Sequence, residues 1–170
     1  FIRSQLVMNP IFARAQEKPK RVVYCEGEED KVLQAVQHVV DENLARPIVI
    51  GRRKVVATRL KRLGLRVELD KDIELIDPED DPRYRSYWET YHAIMQRRGV
   101  TPVSARNIVR TDPTVIGALM VYKGEADAVI CGVTGQYHDH LEDIMDVIGL
   151  KPGIETPAAL NALILAKGTY

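Results

Sequence analysis

Three short runs of aliphatic and β-branched residues constrain this chain more than any other feature. They are Arg21-Val-Val-Tyr-Cys-Glu26, Pro47-Ile-Val-Ile-Gly51 and Asp127-Ala-Val-Ile-Cys131. Each is short, apolar and closed by a glycine at or just beyond its end, which reads as a buried strand. Between them the apolar period becomes helical. Val32, Leu33, Val36, Val39 and Val40 share one face of a segment that starts near Glu29, and Arg53 to Leu63 reads as a helix stopped by Gly64. Strand alternating with helix predicts a three-layer α/β/α sandwich with a mainly parallel sheet.

The remaining segments fit that alternation. The first, to about Lys20, reads as a helix ended by Pro19. Leu65 to Leu69 and Ile73 to Ile76 are two shorter strand candidates, and Asp77 to Asp81 is a loop. Asp81-Pro82, Thr101-Pro102, Asp112-Pro113 and Thr156-Pro157 each place a capping side chain before a proline, which predicts four helix starts. Gly99 and Gly124 are expected to end two of those helices. Gly132 to Gly135 is expected to be a loop leading into a helix that runs to Ile148.

Composition narrows the function classes. The 170 residues suit one domain able to bury a core unaided, and 45% hydrophobic with 28% charged residues is ordinary for a soluble globular protein. The 24 basic and 24 acidic side chains cancel, so a general nucleic-acid binder is not expected. No apolar run is long enough to span a membrane, and no secretory signal is visible. Cys25 and Cys131 lie in apolar runs outside any Cys-x-x-Cys pair, which reads as reduced thiols in a cytoplasmic protein. The chain starts at Phe1 and stops at Tyr170 in an apolar stretch where a strand is expected to begin, so it reads as a piece of a longer polypeptide.

The stretch from Gly132 through Val133, Thr134 and Gly135 to Gln136 follows a buried strand and opens a helix. Free N–H groups at such a junction suit an anion, while a tight turn that needs glycine for its backbone is the plainer alternative. Glu26 and Glu28 also end a strand. They read first as acids at the positive end of the next helix, and second as ligand contacts. His138 and His140 flank Asp139, but residues two apart on a helix diverge, so surface imidazoles are expected rather than a metal site.

Tyr84, Tyr87, Trp88, Tyr91, Ile94 and Met95 recur at helical spacing, as core first and as a subunit interface second. Arg52, Arg53, Lys54, Arg59, Lys61, Arg62 and Arg66 read as a solvated helix face. A polyphosphate ligand such as coenzyme A would need only two or three cations, and Arg98, Arg106 and Arg110 are equally eligible. Neither nucleotide-phosphate loop, dinucleotide fingerprint nor serine elbow is present.

At several places in order the chain resembles the phosphate acetyltransferases. These are Pro19-Lys-Arg-Val-Val, Glu26-Gly-Glu-Glu-Asp-Lys-Val-Leu-Gln-Ala35, Arg98-Gly-Val-Thr-Pro102, Pro113-Thr-Val-Ile-Gly-Ala-Leu-Met-Val121 and Gly124-Glu-Ala-Asp-Ala-Val-Ile-Cys-Gly132. Asp80-Asp-Pro-Arg-Tyr-Arg-Ser-Tyr-Trp-Glu-Thr-Tyr-His92, Gln136-Tyr-His-Asp-His140 and Asp146-Val-Ile-Gly149 are similar to a subgroup, the acetyltransferase-like C-terminal region of large bacterial NADP-dependent malic enzymes.

The resemblance implies two α/β lobes with a site in the cleft between them: a first lobe over residues 1–155, like that of phosphate acetyltransferase and isocitrate dehydrogenase folds, and the start of a second over 156–170. Where that family carries a phosphate-binding arginine, this chain has Glu142, which would repel acetyl phosphate. The implied role is regulatory and oligomerising, with no catalytic residues here. Acetyl-CoA or a related acyl-CoA would be the effector, contacted by Gly132, Val133, Thr134, Gly135, Gln136 and Arg110, in a homo-oligomer. NADP and Mg2+ or Mn2+ would belong to an N-terminal portion that oxidatively decarboxylates malate. An active phosphate acetyltransferase and a purely structural oligomerisation domain are the rival readings.

Overall fold

All four strands of the main sheet run parallel. The computed structural model describes residues 2–159, 163–165 and 168–169. Helix α1 (Ile2–Glu17) leads into strand β1 (Lys20–Tyr24), followed by α2 (Asp30–Asp41), β2 (Ala45–Ile50), α3 (Arg53–Leu63) and β3 (Glu74–Ile76). Then come α4 (Tyr84–Met95) with a short 3-10 turn (Gln96–Arg98), α5 (Pro102–Thr111), α6 (Pro113–Tyr122), β4 (Ala128–Ile130) and α7 (Tyr137–Val147). The sheet order is β3-β2-β1-β4. The chain therefore steps outward from β1 to β3, returns through three helices, and lays β4 on the free side of β1. The gap between the ends of β1 and β4 is a topological switch point, where sheets of this kind hold ligands.

Alternation along the strands sorts side chains into two layers. Val23, Cys25, Ile48 and Ile50 join the core formed with α4, α5 and α6, while Tyr24 and Val49 join the core under α2 and α3. Val23, Leu33, Val36, Val49, Val56, Val109, Val115 and Leu119 are all fully buried, each contributing about 1.5–3 kcal/mol of apolar burial. The expected three-layer sandwich is what forms.

The helix-opening devices act unequally. Thr101 accepts a hydrogen bond from Ser104 N at 3.2 Å, and Asp112 accepts from Thr114 N at 2.9 Å and Val115 N at 3.3 Å. Asp81 instead forms a turn: it accepts from Arg83 N at 2.8 Å and binds the Arg83 guanidinium, and the helix begins later, at Tyr84. At Thr156-Pro157 no helix forms through Ala159, and Leu160 to Ala162 lie outside the described residues. The strand expected near the end is a two-residue pair, β5 (Ile164–Leu165) with β6 (Gly168–Thr169), antiparallel.

Leu65 to Leu69 is not a strand. The backbone N–H groups of Arg66 and Val67 donate to Gln37 Oε1, at 2.7 and 3.1 Å, so a side chain from α2 takes the place of a neighbouring strand. Only an isolated bridge joins Leu69 to Ile73. Glu28 lies ahead of α2 and faces Arg52, not the helix dipole.

Candidate functional site

The switch point is built from the ends of β1 and β4. Glu26 follows β1, and its Oε1 accepts from Gly132 N at 2.6 Å and Val133 N at 3.2 Å. Gly132 and Gly135 both take positive φ, 98° and 86°, so the loop depends on residues free to turn that way. The loop closes on His140, one turn into α7. The Nε2 of His140 lies 2.6 Å from the Thr134 carbonyl, which only accepts, so the proton sits on Nε2. Its Nδ1 lies 2.8 Å from the hydroxyl of Thr114, which is 1% exposed. The Thr134 bond raises the His140 pKa above its ordinary value. A Cβ on Gly135 would stand 2.9 Å from His140 Nε2, so glycine is required there twice over.

This arrangement bears on both readings of the loop. An anion approaching Gly132 and Val133 finds their N–H groups already on a carboxylate. Thr134, Gly135 and Gln136 remain exposed beside it. His140 spends both ring nitrogens inside the protein, and the exposed His138 packs its ring edge-on to Tyr137. Among the described residues no group of three or more His, Cys, Asp or Glu side chains is arranged to hold a metal ion.

Next to the loop lies a cleft of about 460 Å³, lined by the ends of β1 and β2 and by the junction of α5 and α6. Arg110 lines it, whereas residues 132–136 do not; Glu26 alone belongs to both cleft and loop contacts. The predicted effector residues thus fall into two adjoining groups on either side of one carboxylate. Arg110 also stacks its guanidinium 4.7 Å from the centre of the Tyr84 ring. Arg52 is held bidentately by Glu28 at 2.8 Å for both bonds. Four carboxylates, Glu26, Glu28, Glu29 and Glu79, line the same cleft as these two arginines, so phosphate dianions meet a predominantly negative wall.

A second acidic contact sits behind the loop. Asp112 caps α6, and Asp143 on α7 faces it. Burial, Asp112's charge and a shared hydrogen bond push the Asp143 carboxyl up to about 7. Neither Thr114 nor Asp143 carries a sequence signal for this cluster, since no local spacing joins α6 to α7. Glu142, by contrast, points to solvent.

The aromatic stripe is consumed by packing. Tyr87, Tyr91 and Met95 are buried in the core, with Tyr84, Trp88 and Ile94 against it, and Arg106 stacks 4.3 Å above Trp88. The Tyr87 hydroxyl donates to Glu125 Oε2 at 2.6 Å. The arginines of the basic run are paired as well: Arg53 with Asp70, Arg59 and Arg62 with Asp30, and Arg66 with Asp41.

Residues 6–170 match the family described as phosphate acetyl/butaryl transferase. The chain is 48% identical over 166 residues to the NADP-dependent malic enzyme of Escherichia coli, covering 98% of this chain and 22% of that protein. It is 50% identical over 167 residues to the NAD-dependent malic enzyme of Rhizobium meliloti, with the same coverage of 98% and 22%. The chain therefore spans about a fifth of the length of these curated relatives. The EutD phosphotransacetylase from Staphylococcus aureus shares the fold, with a TM-score of 0.83 at 22% identity over 96% of this chain and 49% of that one.

Proposed function

The chain belongs to the phosphate acetyl/butaryl transferase family, and from that premise we propose that it is the regulatory, oligomerising acetyltransferase-like region of a malic enzyme. It binds acetyl-CoA or a related acyl-CoA as an effector and does not turn it over. Identity near one half to two malic enzymes over 98% of the chain carries this reading. Malate oxidation, with its dinucleotide and divalent metal, is assigned to another part of such a protein. On this reading a second lobe that starts near residue 156 completes the effector site.

The site's charge supports binding without acyl transfer. Acyl transfer to or from phosphate needs positive groups around the oxyanion. Here Glu26 holds the loop N–H groups, and the cleft carries more carboxylates than arginines. The adenine and pantetheine parts of an acyl-CoA make no demands of that kind, and its phosphates would have to lie away from the carboxylates, on Arg110, which lines the cleft. An effector alters turnover only through different affinity for two arrangements of the protein.

Calorimetric titration of acetyl-CoA into the full-length protein, beside a malate-oxidation assay, tests the proposal. Saturable heat with altered turnover is expected. No heat and unchanged turnover would leave a scaffold role, and acetyl phosphate formation from acetyl-CoA and phosphate would overturn the non-catalytic assignment.

A further inference from the structure

Cys25 and Cys131 stand one residue beyond the last paired positions of β1 and β4. Tyr24 is in register with Ile130, and Cys25 N donates to the Ile130 carbonyl at 3.0 Å, which carries the parallel pairing forward to the two cysteines. Neighbouring strands lie about 4.8 Å apart, inside the roughly 4.4–6.8 Å range of Cα separations that a disulfide bridges. Both side chains face the same layer: Cys25 belongs to the core under α6, and Cys131 packs against that core. The α6 helix passes Cys25 at Gly117, where a Cβ would come within 2.7 Å of Cys25 Sγ, so glycine there leaves room for that sulfur. Both are free thiols, Cys25 buried and Cys131 half-buried beneath the exposed loop.

Their chemistry is unequal in the way a thiol relay needs. Interaction with the Cys25 thiol, then the charge of His140, draws the Cys131 thiol down to about 7. Its partner is pushed up, first by the same contact and then by burial. The more accessible sulfur is thus the better thiolate, and the buried one is protected until its neighbour has reacted.

We infer that Cys25 and Cys131 are a redox pair, oxidised by hydroperoxides to a reversible disulfide that ties β1 to β4 beneath the Gly132–Gly135 loop. The Cys131 thiolate attacks a peroxide oxygen, the O–O bond breaks, and hydroxide leaves and takes a proton to become water. The sulfur is now a sulfenic acid. The Cys25 sulfur attacks it, the S–S bond forms, and the departing hydroxide takes the Cys25 proton as a second water. The peroxide is reduced by two electrons and the two thiols are oxidised by two. A dithiol reductant reverses the change by exchange. The bridge lies one residue before Glu26 on one strand and one before Gly132 on the other, so oxidation locks together the two segments that Glu26 already links. This modification site is independent of the acyl-CoA reading.

The test is hydrogen peroxide treatment of the folded full-length protein at neutral pH, alkylation, and mass spectrometry of a non-reducing tryptic digest. The expected product is peptide 22–31 joined to the peptide carrying Cys131, released by dithiothreitol. In Cys25→Ser, dimedone is expected to label Cys131. In Cys131→Ser, Cys25 is expected to stay reduced until the protein is denatured. Recovery of both cysteines alkylated, overoxidation of Cys131 without a linked peptide, or linkage found only after denaturation would each overturn the proposal.

Discussion

Gly27 and Glu26 show how single residues set the switch point. Gly27 N donates to the Ile50 carbonyl at 3.0 Å, bringing the end of β1 hard against β2. A Cβ there would overlap Val49 Cγ1 and stand 2.6 Å from the Ile50 oxygen, and that backbone atom has nowhere to go. Gly27→Ala is therefore expected to cost about 2–3 kcal/mol by overpacking, read as a lower midpoint in urea with an unchanged slope. Gly64 offers the contrast. It has open space around it but takes a φ of +64°, so Gly64→Ala is expected to cost only about 1 kcal/mol, all of it backbone strain. Equal losses at the two sites would mean that close approach is not what Gly27 provides. Glu26 next door was legible as a strand-end carboxylate. Its partners were not, because Gly132 is 106 residues away.

At the scale of elements, caps and periodicity carry most of the information. Strands β1 and β2 announce themselves because buried parallel strands need apolar side chains on both faces, whereas β4, expected to be buried too, is an edge strand that leaves Ala128 and Ile130 exposed. Helix α3 runs from Arg53 to Leu63 and stops at Gly64, as its pattern requires. In both failures another partner takes the group that the local pattern assigns elsewhere, a distant one in the first case and one two residues away in the second. Gln37 takes the N–H groups that would have made Leu65 to Leu69 a strand. Arg83 takes the Asp81 carboxylate that would have capped a helix at Pro82. The loop itself was legible from its strand–glycine–helix order, but whether its N–H groups were free depended on Glu26, beyond the end of β1. Where a cap does act, its removal is measurable. Thr101 caps α5 on an exposed helix start, so Thr101→Ala is expected to destabilise the protein by about 1 kcal/mol, while Thr101→Ser costs little. A Thr101→Ala variant as stable as the parent would mean that Pro102 alone starts the helix.

Over the whole molecule, protonation ties α6, α7 and the loop into one pH-sensitive unit. Asp143 faces Asp112, His140 and Asp146, and its carboxyl is raised from the ordinary 3.8 to about 7. The folded protein thus keeps a proton that the unfolded chain releases, and stability falls as pH rises from the unfolded value through the folded one. His140 is raised as well, so its contribution is whole below its ordinary 6.5 and is lost as pH rises through its folded value. The carboxylates held low by arginines, Glu28, Asp70 and Asp127, act in the opposite sense. Their support is present above their ordinary values and is lost only in more acidic solution. Stability should therefore peak near about pH 4–5 and decline toward about pH 7. With allowance for solvent screening at a half-buried site, Asp143 accounts for about 1–2 kcal/mol of that decline. Asp143→Asn keeps the neutral shape and removes the titration. Its melting temperature is expected to match the parent near about pH 4, where the carboxyl holds its proton in both states, and exceed it by about 2–6 °C near about pH 7. A parent profile that is flat across that interval, or a variant shifted equally at both ends, would show that Asp143 does not keep its proton in the folded state.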